Sequence, residues 1–319
     1  MNTVSSSFQA FNSKFVNIDK DRYQTALRSR DNLMDNIQTL ADNYNIGLTY
    51  PEKNYKFGSF ARKTKILPLD DIDLMICFSG KGAHYEIKEN LIEIHVDYCN
   101  SSLYQYTQNG ILNSRKMIEN IKLNLINLKD YRKAEIHRNQ EAVTLELKSY
   151  DWNFDIVPCF FTVDDFYLIP DGQGNWKKTD PRKDQNRITT INQNKNGNIL
   201  QLVRTLKYWK EKNLKSYLSS YAFEQMILDY CDSNYISDSL DENINNLFIY
   251  MRQAIYGLIS DPKGIQGDLN DLTPTDRNTF SNTVSKDLQI SYDAILNKKF
   301  NKEQKAIEKW QQIFGPDFE

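Results

Sequence analysis

The sequence predicts an α+β protein, with a mixed sheet and its helices in the first part and a C-terminal helical lobe from about residue 190 onward. Three observations predict it. Short alternating segments that read as strands fall in the first half, amphipathic stretches with helical spacing dominate the second, and punctuating residues are sparse: 12 Gly and 8 Pro against 19 Tyr and 16 Phe in 319 residues. Such a composition belongs to an ordered globule, and the length admits two lobes, placed at residues 1–190 and 191–319.

The N-terminal segment carries Phe8, Phe11, Phe15 and Ile18, then Ala26, Leu27, Leu33, Met34, Ile37, Leu40 and Tyr44, at helical spacing. A long helical stretch with a break near Asp19 follows. "KNYKFGSF" and "DIDLMICF" read as strands, and in "AVTLELKSYDWNFDIVPCF" Val143, Leu145 and Leu147 alternate with polar neighbours before Asp151-Trp152-Asn153 turns the chain. Ile111, Ile118, Ile121, Leu125 and Leu128 mark a further amphipathic helix. "DPRKDQNRI" (180–188), with Arg182, Lys183 and Arg187, reads as an exposed loop in preference to a contact surface for an acceptor nucleotide, and "NQNKNGN" as a surface turn.

In the second half, Ile199, Leu202, Val203, Leu206 and Trp209 share one helical face. Phe223, Met226, Ile227 and Tyr230, then Leu247, Phe248, Met251 and Ile255, repeat the pattern. "SDPKGIQGDLNDLTP" (260–274) is a loop between helices, and the last 45 residues read as helical again.

Forty Lys and Arg against 42 Asp and Glu leave a net charge of −2, so no bulk basic field invites long nucleic acid. Cys77, Cys99, Cys159 and Cys231 form no CxxC pair, and His84, His95 and His137 are scattered. That pattern argues against zinc and for reduced, buried thiols. "MNTVSSSFQAFNSKF" lacks the charged and apolar regions of a secretion signal, and no stretch reaches the roughly 18 apolar residues of a membrane span. A cytoplasmic protein without membrane association is expected.

Chemistry concentrates at Asp70, Asp71 and Asp73, directly before an apolar strand. Residues two apart on a strand share a face, so Asp71 and Asp73 project together while Ile72 points into the core. Paired carboxylates at a strand end suit a hard divalent cation, and Asp155, set among Phe154, Ile156 and Val157, offers a third if its strand lies alongside. Two bridging cations would offset the repulsion among the acids and let them hold a nucleotide's phosphates. Gly58-Ser59 supplies a tight turn whose hydroxyl and amides can donate to phosphate oxygens. Each piece alone has a plain alternative, a turn, a solvated strand end or a hydrogen-bonded buried acid; their co-occurrence favours function.

Gly58-Ser59, Asp71-x-Asp73 thirteen positions after the glycine, and Asp155 in a hydrophobic-Asp-hydrophobic-hydrophobic-Pro context resemble the polymerase-beta-type nucleotidyltransferase signature. Over most of its length the chain most resembles the CD-NTases, bacterial relatives of cyclic GMP-AMP synthase and oligoadenylate synthase. That resemblance implies a polymerase-beta-like core, a helical lobe completing the nucleotide pocket, and an active site in the cleft between them. It implies two Mg²⁺ ions, with Mn²⁺ as a substitute, on Asp71, Asp73 and Asp155 as the catalytic and metal-binding acids. In "LVRTLKYWKEKN" and "SSYAFEQMI" it implies that Lys207 and Ser220 hold the donor triphosphate and Tyr221 stacks on its base. Read from the residues alone, Lys207 is also a solvated helix charge, Ser220 a helix N-cap and Tyr221 a core aromatic.

The implied activity joins donor and acceptor nucleoside triphosphates into a cyclic di- or trinucleotide second messenger with release of pyrophosphate, in anti-phage defence, with downstream effector and regulatory partner proteins. Two alternatives use the same residues differently: transfer of a single nucleoside monophosphate to a protein, RNA or small-molecule acceptor, or nucleotide binding without catalysis.

Overall fold

The structure, a computed structural model, describes residues 2–43, 46–89, 91–99, 101–214 and 218–319; Tyr44, assigned above to the N-terminal helical pattern, lies outside them. In chain order the elements begin with α1 (Val4–Phe11), α2 (Lys20–Asp42), β1 (Tyr55–Phe57), the single turn α3 (Gly58–Ala61) and β2 (Asp71–Cys77). Next come β3 (Ala83–Ile87), β4 (Ile92–Val96), α4 (Ser101–Tyr104), β5 (Thr107–Gln108), β6 (Ile111–Leu112) and α5 (Ser114–Asn127). The sheet is completed by β7 (Glu135–Asn139), β8 (Ala142–Glu146), β9 (Asn153–Phe161), β10 (Tyr167–Pro170) and β11 (Trp176–Thr179). The remaining helices are α6 (Pro181–Asn194), α7 (Ile199–Asn213), α8 (Ser220–Ser233), α9 (Leu240–Ala254), α10 (Pro274–Lys299) and α11 (Glu303–Phe314).

The chain forms two compact units: Lys20–Arg62 with Leu69–Arg182, and Met1–Asp19 with Lys63–Pro68 and Lys183–Glu319. The first holds a mixed sheet in the order β1-β2-β9-β10-β11-β4-β6-β5, with β3 on β4 and β8 bridging β7 to β9. Its centre is the parallel pair β2·β9, paired without a slip from Asp71↔Asn153 to Cys77↔Cys159. Ile72, Leu74, Ile76, Phe154 and Ile156 are all buried, and this apolar set pins the register, since a one-residue slip would turn it toward the acid-bearing face. Pro158 falls between the β8 pairing of β9, which ends at Ile156, and the β10 pairing, which begins at Phe160, where a residue without an N–H is tolerated.

The helical unit is built around Leu206, Trp209, Phe223, Met226, Phe248 and Phe280, all at most 1% exposed. Residues 1–19 belong to it: Phe8 and Phe11 of α1 meet Phe314 and Phe318 with ring centroids 4.7–5.6 Å apart. The break expected near Asp19 is real, a π-helical turn over Asn12–Val16 that Asn17 ends in an extended conformation (φ −87°, ψ 140°).

Several expectations need correction. The 180–188 stretch is helical, because Pro181 opens α6 with its fixed φ and no N–H to satisfy. Its cations bind protein groups: Arg182 holds Asp180 and Asp165, Lys183 the carbonyl of Lys263, and Arg187 Gln225 and Asp229. "KNYKFGSF" yields only the three residues of β1 before turning helical at Gly58. Ile111 lies in β6, outside α5, which starts after the Asn113 side chain caps the amides of Arg115 and Lys116. Cys77, Cys159 and Cys231 are buried thiols, but Cys99 is exposed.

Candidate active site

β2 and β9 bring the separated acids together. Asp73 and Asp155 are direct partners in the parallel ladder, and Asp71 lies opposite Asn153 two steps earlier. Partners in register share a face and sit roughly 4.8 Å apart between strands, so all three carboxylates leave the same side of the sheet. Asp71, Asp73 and Asp155 are partly exposed, whereas the alternating Ile72, Phe154 and Ile156 are sealed beneath. Further along that face the strands turn apolar, with Met75, Cys77, Val157 and Cys159 clustered with Tyr167 and Ile169. The acids thus stand at the amino ends of two parallel strands, on a polar margin of an otherwise apolar face.

Asp155 is oriented from the neighbouring strand. Thr144 of β8 pairs with it across the ladder, and the Thr144 hydroxyl donates to Asp155 Oδ1 at 2.6 Å. A carboxylate that accepts one short bond on one oxygen has its second oxygen pointed by that bond. This orienting threonine was not singled out from the sequence; "AVTLE" places it on the strand face opposite Val143 and Leu145, but only the register joins it to Asp155.

Gly58 closes the site from β1. Phe57 pairs with Asp73, so the turn that follows lies against that carboxylate. Gly58 has φ +73°, and a Cβ built on it would stand 1.7 Å from Asp73 Oδ2 and 2.6 Å from Asp73 Cγ. Both the backbone conformation and the contact demand glycine. Ser59 follows within α3, so its hydroxyl is carried on the turn that abuts Asp73.

The other three expected residues sit in the helical unit. Lys207 of α7 is 6% exposed; its ammonium donates to the Thr64 carbonyl at 3.0 Å and lies 3.6 Å from the fully buried Glu224, which also accepts from the Thr64 hydroxyl at 2.8 Å. It is not a solvated helix charge but a link between α7, α8 and the 63–68 segment. Ser220 is the first residue of α8, and the N-cap is its neighbour Ser219, whose side chain accepts from the Ala222 amide. The Ser220 hydroxyl lies 3.4 Å from Glu211. Tyr221 is half-buried, its phenol 2.6 Å from Asp184.

A second cluster of metal-ligand types joins Glu86, Glu93 and His95, whose donor atoms lie within 4.8 Å of one another. Lys88 already meets it, 2.5 Å from Glu86 and 3.9 Å from Glu93, so a protein cation supplies the charge there. Asp71, Asp73 and Asp155 present the oxygen set that a hard divalent ion prefers, and Gly58 leaves their carboxylates room.

Comparison with known proteins points the same way. Residues 87–192 match the Second Messenger Oligonucleotide or Dinucleotide Synthetase domain family, a span that includes Asp155. A Bacillus cereus (strain VD146) protein named a probable cyclic nucleotide synthase is 41% identical over 329 residues, covering 99% of this chain and 98% of the relative. The cyclic AMP-AMP-AMP synthase of Acinetobacter sp. (strain ATCC 27244 / 9458) is 28% identical over 60% of this chain and 57% of its own. Among solved structures, E. coli MS115-1 CdnC with ATP superimposes with a TM-score of 0.71 at 16% identity, over 100% of this chain and 99% of that one. At that identity the likeness concerns the fold.

Proposed function

The chain belongs to the CD-NTase family of nucleotidyltransferases, and from that premise we propose that it joins ribonucleoside triphosphates into a cyclic di- or trinucleotide second messenger, with release of pyrophosphate. The observation that carries this reading is the pairing of Asp73 with Asp155, two steps along the ladder from Asp71, beneath a glycine turn. The names of the two synthase relatives support the cyclic product.

Asp71, Asp73 and Asp155 are the residues that would hold divalent ions, Mg²⁺ or Mn²⁺, two in number. Bound there, such ions lower the pKa of a hydroxyl and stabilise a leaving polyphosphate. The chain's own contribution begins with Gly58 and Ser59. The turn brings backbone amides and a hydroxyl to the phosphates, which fixes the α-phosphorus in line with the acceptor. The acceptor ribose oxygen forms a bond to that phosphorus while its bond to the β-phosphate bridging oxygen breaks and pyrophosphate leaves. Asp155, oriented by Thr144, accepts the proton of the attacking hydroxyl. A further round on the linear product closes the ring.

Lys207, Ser220 and Tyr221 enter this reading from the resemblance alone. Lys207 would contribute positive charge to the triphosphate from its anchorage on Thr64, Ser220 a hydroxyl donor, and Tyr221 a ring for the donor base. The biological setting we assign is anti-phage signalling through an effector that the cyclic product activates.

Incubating the protein with all four ribonucleoside triphosphates and Mg²⁺ or Mn²⁺, then treating the products with phosphatase, tests this directly. A resistant cyclic species is the expected result. Label transferred to protein, RNA or a small alcohol would assign single-nucleotide transfer instead, and nucleotide bound but never consumed would leave only a binding module.

A further inference from the structure

Tyr221 is held by groups that the reaction itself does not call for. Its phenol oxygen lies 2.6 Å from Asp184 Oδ1 and 3.1 Å from Asp261 Oδ1, and the ammonium of Lys263 donates to it. A phenol has one proton to give, so the short bond to Asp184 is the donor bond and Lys263 fills an acceptor position. Lys263 Nζ also stands 4.1 Å from the Tyr221 ring centroid. The ring is thereby fixed in tilt as well as in place, from α6 on one side and from the 260–268 loop on the other.

That loop is built to deliver Lys263. The Asp261 carboxylate accepts from the backbone amides of Lys263, Ile265 and Gln266 at 3.0–3.2 Å and from the Lys263 ammonium at 3.1 Å. Ser260 and Asp268 close the loop by an isolated bridge, and Gly264 and Gly267 take the positive φ of +69° that its tight path requires. The side chains of Asp184, Asp261 and Lys263 are 7%, 0% and 9% exposed. Replacing buried ionic groups by apolar residues of like volume is often neutral or stabilising, so packing alone does not call for two acids and a base here.

We propose that Lys263 and Asp184 are positioning residues that set the plane of the Tyr221 ring for stacking on the donor nucleobase. This rests on the stacking role proposed for Tyr221 and adds what determines its geometry. An aromatic platform gains affinity only when its plane is parallel to the base, and a ring free to turn about its side-chain torsions loses part of that gain on every binding event.

The probe is 2-aminopurine riboside triphosphate, whose fluorescence is quenched by stacking on an aromatic ring, titrated in parallel with KM and kcat for the natural nucleotide. Tyr221→Ala is expected to abolish the quench and raise KM about tenfold. Tyr221→Phe keeps the ring and removes only its tether, and Lys263→Met removes the ammonium. Each is expected to raise KM several-fold and weaken the quench at saturation, with kcat within about twofold of wild type, and Lys263→Arg to restore both. Should Lys263→Met not fold, Tyr221→Phe carries the test by itself. If Tyr221→Ala disturbs binding while Tyr221→Phe and Lys263→Met quench and bind as wild type does, the positioning role is wrong and stacking stands. If Tyr221→Ala is itself silent, the stacking role fails, and the positioning role with it.

Discussion

Gly58 and Asp73 approach so closely that a single methyl group on the glycine would overlap the carboxylate, 1.7 Å from Oδ2. The contact belongs to the link between sequence and site: the only residue without a side chain is placed where the acid needs the space. Gly58→Ala is therefore expected to do two things. The positive φ costs about 1–2 kcal/mol for any L side chain, and Asp73 must swing away from the other two acids. Turnover should fall at least about a hundredfold while the protein still unfolds cooperatively, as steady-state kinetics and thermal melts would show. Near-normal turnover by a folded Gly58→Ala protein would mean that Asp73 works from another position.

Replacing Asp71 and Asp73 by Asn together separates chemistry from folding. Asn keeps the size of each side chain and removes only its charge, at positions that are partly exposed. The double variant is expected to melt cooperatively as a folded protein, and to consume nucleotide at least about a thousandfold more slowly. Residual consumption at a tenth of the wild-type rate would remove these acids from the catalytic set.

Thr144 offers a gentler test. Thr144→Val keeps the shape of a buried position and removes only the 2.6 Å bond to Asp155 Oδ1. With Asp155 less firmly aimed, kcat should drop about tenfold and KM for the triphosphate should change little. A change confined to KM would instead place Thr144 in substrate binding.

Local signals in the sequence reveal some of these features and leave others to the folded chain. The alternation of Asp71 and Asp73 with Ile72 and Leu74 declares a strand with one acidic margin, because the period of two is a property of the strand itself. The partnership of Asp73 with Asp155 is not local; 82 residues separate them, and only the sheet's register decides which residue of β9 faces which of β2. The partners of Lys207 are hidden for a similar reason: helical spacing places it on α7, but Thr64 and Glu224, which receive its ammonium, come from other segments of the chain. Other misses had a readable signal. "AHYEI" and "IEIHV" alternate as strands do and form β3 and β4, and Pro181 after Asp180 marks a helix start. Two-residue strands such as β5 and β6 carry too few side chains to show any period.

The loop that carries Lys263 gives a pH-dependent signature. Burial by itself would raise the Asp261 carboxyl, but the amides of Gln266 and Ile265 and the ammonium of Lys263 outweigh it and bring the group from 3.8 down to about 2. A folded-state pKa below the unfolded one means that the unfolded chain binds the proton first, so the stabilisation is complete above about 3.8 and is lost as pH falls toward about 2. A shift of that size corresponds to about 2 kcal/mol for a residue 7% exposed. Asp261→Asn should be less stable than wild type by about that amount at pH 7, measured by denaturant titration, and the gap should close as acid protonates the wild-type carboxyl. A gap that held constant down to pH about 2 would assign the effect to lost packing rather than charge, and the anchoring of the loop through the Asp261 carboxylate would have to be abandoned.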